Sequence, residues 1–100
     1  MAFVKVADAA QVPPGGSRIV EAEGKELALF NVEGAFYCID NECPHRYGPL
    51  GEGDLEDDVV TCPWHAWQVN VRTGEVLYTP GSCVGTYPCK VEDGAVLIDI

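Results

Sequence analysis

Cys43-Pro44-His45 and Cys62-Pro63-Trp64-His65 each place one thiol and one imidazole close enough in sequence to reach a single metal centre. The first pair has one residue between its donors, the second has two, and the 16 residues from Arg46 to Thr61 separate the pairs. A common zinc finger keeps its cysteines together and its histidines together, at Cys-x2–4-Cys and His-x3–5-His spacings. Here each half mixes a sulfur with a nitrogen. Two mixed halves suit a centre with two different irons, one taking both thiolates and the other both imidazoles, as when histidines replace two cysteines at a [2Fe-2S] cluster. Zinc on the same four side chains is the alternative chemistry. The chain has only these two histidines, and both fall in the pattern.

These residues resemble the Rieske iron–sulfur proteins. The match runs over Cys43-Pro44-His45-Arg46-Tyr47-Gly48-Pro49-Leu50 and Cys62-Pro63-Trp64-His65-Ala66-Trp67, with proline after both cysteines, and the rest of the chain reads like a stand-alone Rieske ferredoxin. The resemblance implies one [2Fe-2S] cluster, with Cys43 and Cys62 as thiolates on the inner iron and His45 and His65 as neutral imidazoles on the outer one. Replacing two thiolates by imidazoles removes negative charge and eases reduction relative to an all-cysteine site. In the high-potential members a second cysteine in each loop forms a bridging disulfide, and a serine and a tyrosine donate to the cluster sulfurs. Gly48 and Trp64 stand at those cysteine positions, and Trp67 and Val69 where the serine and tyrosine would be. None of the four can make those contacts, so the expected midpoint lies at the low end of the range of Rieske centres, about −150 mV. The resemblance also implies a proline-containing loop covering the cluster from a third side, with Pro80 as the counterpart. Tyr47, Pro49, Trp64 and Trp67 would shield the cluster or simply pack.

One hundred residues suffice for one domain with its own core, expected over 1–100 with the cluster-binding part at about 41–81, and leave no room for a second catalytic domain. The N-terminal residues Met1 to Val6 lack the basic and apolar regions of a signal peptide, and no run approaches the ~18 apolar residues of a membrane span. A non-exported, cytoplasmic protein without a membrane anchor is expected. Cys38, Cys83 and Cys89 remain beyond the ligands, and in a reducing compartment they read as small buried or half-buried thiols. Sixteen acids against six bases give a net charge of −10, which repels nucleic acid and anionic membranes and steers the molecule toward basic surfaces. Two ferric ions, two sulfides and two thiolates sum to zero, so loading an oxidised cluster leaves that balance unchanged. Glu52, Asp54, Glu56, Asp57 and Asp58 form an acidic run between the ligand pairs, either a solvated loop or a docking patch.

The elements that must hold the ligands read as strands. Residues 2–7 alternate as a first strand, and Asp8 to Gly16 is a turn-rich connector. Ser17 to Glu23 and Lys25 to Val32 follow, split by Gly24; Leu27-Ala28-Leu29-Phe30 is continuously apolar, as in a strand buried on both faces. Glu33-Gly34 predicts a hairpin between Lys25–Val32 and Ala35–Asp40, which delivers the chain to the first ligand pair. Leu55 to Asp58 reads as a turn, Val59-Val60-Thr61 as a short strand leading into Cys62, and Arg72 to Glu75 as the turn before Val76-Leu77-Tyr78 returns. Thr86 to Glu92 and Ala95 to Ile100, joined by Asp93-Gly94, predict a closing hairpin with Val91, Val96, Leu97 and Ile98 in the core. No long stretch keeps a helical period. The expected fold is therefore all-β, a small antiparallel sandwich of the Rieske type with a cluster-binding subdomain of two ligand loops at one end.

The expected function is that of a monomeric one-electron carrier, a Rieske ferredoxin that catalyses no reaction alone. By resemblance its partners are a flavin-dependent NAD(P)H reductase upstream and a terminal, ring-hydroxylating oxygenase downstream. A small subunit of a multi-subunit oxidoreductase such as a nitrite reductase, and a zinc-stabilised interaction domain, are the other readings.

Overall fold

Short strands and two-residue turns set the architecture. The computed structural model describes residues 3–41, 50–63, 68–77 and 84–99. Among these run β1 (Phe3–Asp8), β2 (Ser17–Ala22), β3 (Lys25–Val32), β4 (Ala35–Asp40), β5 (Asp54–Glu56), β6 (Val59–Thr61), β7 (Gln68–Asn70), β8 (Thr86–Tyr87), β9 (Cys89–Glu92) and β10 (Ala95–Asp99). Glu23-Gly24, Glu33-Gly34 and Asp93-Gly94 each hold both residues at positive φ, between 50° and 97°. That is the turn whose twist matches the right-handed twist of paired strands, and it closes the β2–β3, β3–β4 and β9–β10 hairpins.

Three antiparallel sheets result, ordered β1-β10-β9, β2-β3-β4-β8 and β5-β6-β7. β3 is the middle of the molecule. Side chains alternate across a strand, and here both faces are buried: Leu27 and Leu29 join Val12, Val20, Cys38, Val96 and Ile98 in one core, while Ala28 and Phe30 join Ile39, Leu50, Val60, Cys62, Val69 and Val71 in the other. All four residues from Leu27 to Phe30 are fully buried, as their unbroken apolar run predicts. The first core packs against the β1-β10-β9 sheet, and the second beneath the small β5-β6-β7 sheet.

Three expectations need correction. Leu55–Asp58 is not all turn: Asp54–Glu56 pairs with β6, Leu55 opposite Val60, because Leu55 packs on the second core, and the turn shrinks to Asp57-Asp58. The strand expected over Thr86–Glu92 is split at Pro88, which has no N–H to give a ladder; Tyr87 pairs with Cys38 of β4, and Cys89 with Ile98 of β10. Of the apolar residues expected in the closing hairpin core, Val96 and Ile98 are buried, whereas Leu97 lies on the other face, half-buried, and Val91 is 46% exposed on the edge strand β9. Among the described residues the only helical pieces are 3-10 turns at Ala9–Gln11 and Leu50–Glu52, and no helix is long and apolar enough to cross a membrane.

Candidate metal centre

Segment 42–49, which carries the first pair of expected ligands, leaves from Asn41, directly after β4, and returns at Leu50. Its two ends are bonded together: the Leu50 N–H donates to the Asn41 carbonyl at 2.7 Å, and the Gly51 N–H to the Asn41 side-chain oxygen at 2.8 Å. From there the chain turns at once into the sheet that carries the second loop. The Gly53 N–H donates to the Leu50 carbonyl at 3.0 Å, and Asp54 pairs with Thr61. Gly53 is required by that approach, since a Cβ there would collide with the Thr61 carbonyl oxygen.

The second loop spans the β6–β7 hairpin. Thr61 pairs with Gln68, so Cys62 and Pro63 begin the connection and Gln68 ends it. The chain then returns through the Arg72–Gly74 turn, where the Asn70 side-chain oxygen accepts the Arg72 and Thr73 N–H groups at 2.8 and 3.3 Å. Val69 bridges to Val76, and the Leu77 N–H donates to the Gln68 carbonyl at 2.9 Å. The segment 78–83 therefore leaves from the row that already carries Asp54, Thr61 and Gln68. It comes back at Val84, whose N–H donates to Gly74 at 2.8 Å, and at Gly85, whose carbonyl accepts the Asp40 N–H at 3.0 Å.

The roots of all three segments thus form one continuous hydrogen-bonded rim that begins and ends on the Asp40-Asn41 dipeptide. Of the four expected ligands, Cys62 is described: it is 2% exposed, a free thiol, and part of the core that floors the rim. Cys43, His45 and His65 lie outside the described residues, as do Pro80 and Cys83 and the shielding candidates Tyr47, Pro49, Trp64 and Trp67. Val69, expected where high-potential centres carry a tyrosine, is fully buried and apolar. The floor is Leu50, Val60, Val69, Val71, Val76 and Val84, a low-dielectric surface that excludes water. A buried thiol at the mouth of the second loop, beside the root of the first, fits a thiolate-ligated cluster held between two loops, and the donor set of two thiols and two imidazoles fits a [2Fe-2S] centre with one iron of each kind.

The acidic run extends from the 3-10 turn at Leu50–Glu52 through β5 to the turn before β6. Glu52, Asp54, Glu56 and Asp57 are exposed, whereas Asp58 is half-buried and meets Arg72 Nε at 3.5 Å while its carbonyl accepts the Val71 N–H. Sequence reasoning passed over Asp40 as a site residue. Its carboxylate accepts the Gly85 N–H at 2.9 Å and the Tyr87 hydroxyl at 2.7 Å; burial and that bond push the Tyr87 pKa up to about 12. An Asp-Asn pair closing a strand is a turn signal, but its partners are not readable from the sequence alone.

Cys38 and Cys89 adjoin on the far side of Tyr87, lining a pocket of about 290 Å³ with Phe36, Arg72 and Pro88. The Cys89 thiol donates to the Tyr87 carbonyl at 3.5 Å; the interaction between the two thiols, with burial, holds Cys38 above the usual thiol range, and Cys38 draws Cys89 below it.

The family model of the Rieske [2Fe-2S] domain matches residues 2–88. The ferredoxin component of the naphthalene 1,2-dioxygenase system of Pseudomonas aeruginosa is 41% identical over 91 residues, which are 90% of this chain and 88% of that protein. Among solved structures, the ferredoxin of Sphingomonas yanoikuyae B1 superposes with a TM-score of 0.89 at 31% identity, covering 99% of both chains. A chain of the complex of reduced oxygenase and oxidised ferredoxin in carbazole 1,9a-dioxygenase superposes with a TM-score of 0.87 at 34% identity, over 96% of this chain and 91% of that one.

Proposed function

This chain belongs to the Rieske [2Fe-2S] domain family, and from that premise we propose that it is the ferredoxin of a ring-hydroxylating oxygenase system. In this role it takes single electrons from an NAD(P)H-dependent flavin reductase and delivers them to a terminal oxygenase. The observation that carries the reading is the match to a dioxygenase ferredoxin component over 90% of this chain and 88% of that one. Like the relatives named as ferredoxin components, it transfers electrons and transforms no substrate itself.

Cys43 and Cys62 hold the inner iron in this reading, and His45 and His65 the outer one. Bound there, the cluster supplies a one-electron couple. The chain's own work is to keep that couple dry on one side and reachable on the other. The apolar floor under Cys62 keeps water from the thiolate side, and the imidazole edges of His45 and His65 are the proposed exit for the electron. Exposed Glu52, Asp54, Glu56 and Asp57, rooted beside the rim, give the approach to a basic partner its direction. The chain acts as a monomeric, cytoplasmic, single-domain carrier over 1–100, with its cluster-binding part at about 41–81.

Electron paramagnetic resonance on the dithionite-reduced protein, with iron and sulfide counted on the same sample, tests the reading. The expected result is two irons, two sulfides and a rhombic spin-half signal with the depressed average g value of two nitrogen ligands on the reducible iron. Zinc in place of iron, or an all-cysteine type of signal, overturns it.

A further inference from the structure

We propose that Asp40 and Asn41 are positioning residues of the metal centre: a two-residue bracket that fixes the ends of segments 42–49 and 78–83 relative to each other. The inference rests on the cluster reading above and extends it to residues that are not ligands.

Asn41 is 4% exposed, and every polar group it has is engaged. Its carbonyl and its side-chain oxygen accept the N–H groups of Leu50 and Gly51, where loop 42–49 returns. Its own N–H and its amide Nδ2 reach the Glu26 carbonyl and carboxylate at 3.4 and 3.3 Å, tying the loop base to β3. Gly51 is held from its other side as well: the Ser17 hydroxyl donates to its carbonyl at 2.9 Å, and a Cβ on it would sit 2.5 Å from Ile19 Cγ1 and 2.9 Å from Asn41 Oδ1. The loop base therefore has one seat. Asp40 does the same for the other loop, through its N–H and carboxylate to Gly85 and its carboxylate to the Tyr87 hydroxyl.

The Asp40 N–H goes to Gly85 and the Asn41 N–H to Glu26 of β3, so the two residues hold the returning ends of segments 78–83 and 42–49 while their Cα atoms are one peptide apart, ~3.8 Å. The spacing of the two returning ends, at Leu50-Gly51 and at Gly85, is thereby set by a covalent unit. Groups that orient ligands from behind govern both metal retention and the electronics of the centre, so loosening the bracket changes the cluster and not merely the fold.

A matched control is built into the chain. Asn31 is the other buried asparagine, also 4% exposed, and its side chain makes two comparable bonds, to the Val12 carbonyl at 2.8 Å and from the Gly34 N–H at 2.7 Å. It pairs with Phe36, toward the end of the β3–β4 hairpin away from Asp40. The experiment compares the full-length holoprotein with Asn41→Ala, Asn31→Ala and Tyr87→Phe, measuring thermal stability, midpoint potential, the g values of the reduced state and the rate at which the visible absorbance of the cluster is lost to a chelator. Both asparagine variants are expected to be less stable. Asn41→Ala is expected to lose its cluster ~10-fold faster than wild type, with shifted midpoint and g values, and Tyr87→Phe to move the same readouts in smaller measure; Asn31→Ala is expected to keep wild-type values. Wild-type midpoint and g values in Asn41→Ala, with cluster loss no faster than in Asn31→Ala, overturn the inference. Should Asn41→Ala not fold, unchanged readouts in Tyr87→Phe overturn it equally. A wild-type protein without the nitrogen-ligated signal overturns the cluster reading first and this one with it, which separates the two failures.

Discussion

Two thiols and a phenol around β8 carry chemistry that the metal centre does not use. The contact between the two thiols, with burial, pushes Cys38 above the usual thiol range and draws Cys89 below it, so the negative charge of a thiolate is favoured on Cys89 and disfavoured on Cys38. The thiolate is the nucleophile in alkylation, and Cys89 is also the more exposed of the two. Iodoacetamide under native conditions, read by peptide mass, is expected to label Cys89 well before Cys38; preferential labelling of Cys38 contradicts this account. Tyr87 gives the pH prediction. Its proton is retained in the native state to about 12, against 10.0 for an ordinary tyrosine, through burial and the bond to Asp40. Below pH 10 both native and unfolded chains keep the proton and the contribution is whole; between 10 and about 12 only the unfolded chain releases it, so stability falls as pH rises. Urea unfolding across that interval is expected to fall more steeply with pH in wild type than in Tyr87→Phe, and parallel slopes would contradict it. The expected ligands stand out in the sequence because their types are rare and closely spaced. Asp40 does not, since the group its carboxylate holds, Gly85, is 45 residues away, and only the folded chain brings them together.

At the scale of elements, the most readable strand is the one with the largest energetic role. Leu27-Ala28-Leu29-Phe30 reads as buried on both faces because β3 separates two cores, and no polar residue interrupts it. Phe30→Ala leaves a void in the core under the rim and is expected to cost ~3–5 kcal/mol, measured by chemical unfolding. Val91 illustrates the opposite case. It sits in an apolar alternation that predicts burial, yet β9 is an edge strand and the side chain is 46% exposed; Val91→Thr is expected to change stability by no more than ~0.5 kcal/mol. A large loss at Val91 with a small one at Phe30 would invert the assignment of the core. Sheet membership, in contrast to strand identity, is a long-range property. Pro88 divides what reads as one strand, but that its halves then join two different sheets depends on β4 and β10. Leu55 was hidden by its acidic neighbours, which put a turn-like composition over a residue that packs on the core.

For the molecule as a whole, charge and potential argue in the same direction. A net charge of −10 opposes the arrival of an electron, which takes the total to −11 if one oxidised cluster is bound, and Val69 offers no hydroxyl to a cluster sulfur. A midpoint of about −150 mV, at the low end for Rieske centres, is expected from redox titration, and a clearly positive value contradicts the reading. The same charge sets how the carrier meets its partners. Net charge is a property of composition and was legible before any fold; its placement was not, because the exposed acids Glu52, Asp54, Glu56 and Asp57 come to the rim only through the short sheet that also positions Cys62. Exposed charges of this kind act over a Debye length of ~10 Å at 0.1 M salt and ~3 Å at 1 M. Encounter with a basic oxygenase surface is therefore accelerated at low ionic strength and falls toward the unsteered rate as salt rises. Stopped-flow oxidation of the reduced protein by a terminal oxygenase, across that salt range, is expected to show a rate constant falling by ~10-fold or more. Replacing Glu52, Asp54, Glu56 and Asp57 together by their amides is expected to flatten the dependence without moving the high-salt limit, because these side chains are exposed and lie outside both cores. If the variant keeps the full salt dependence, the steering comes from the charge of the molecule at large and this face is not the one that docks.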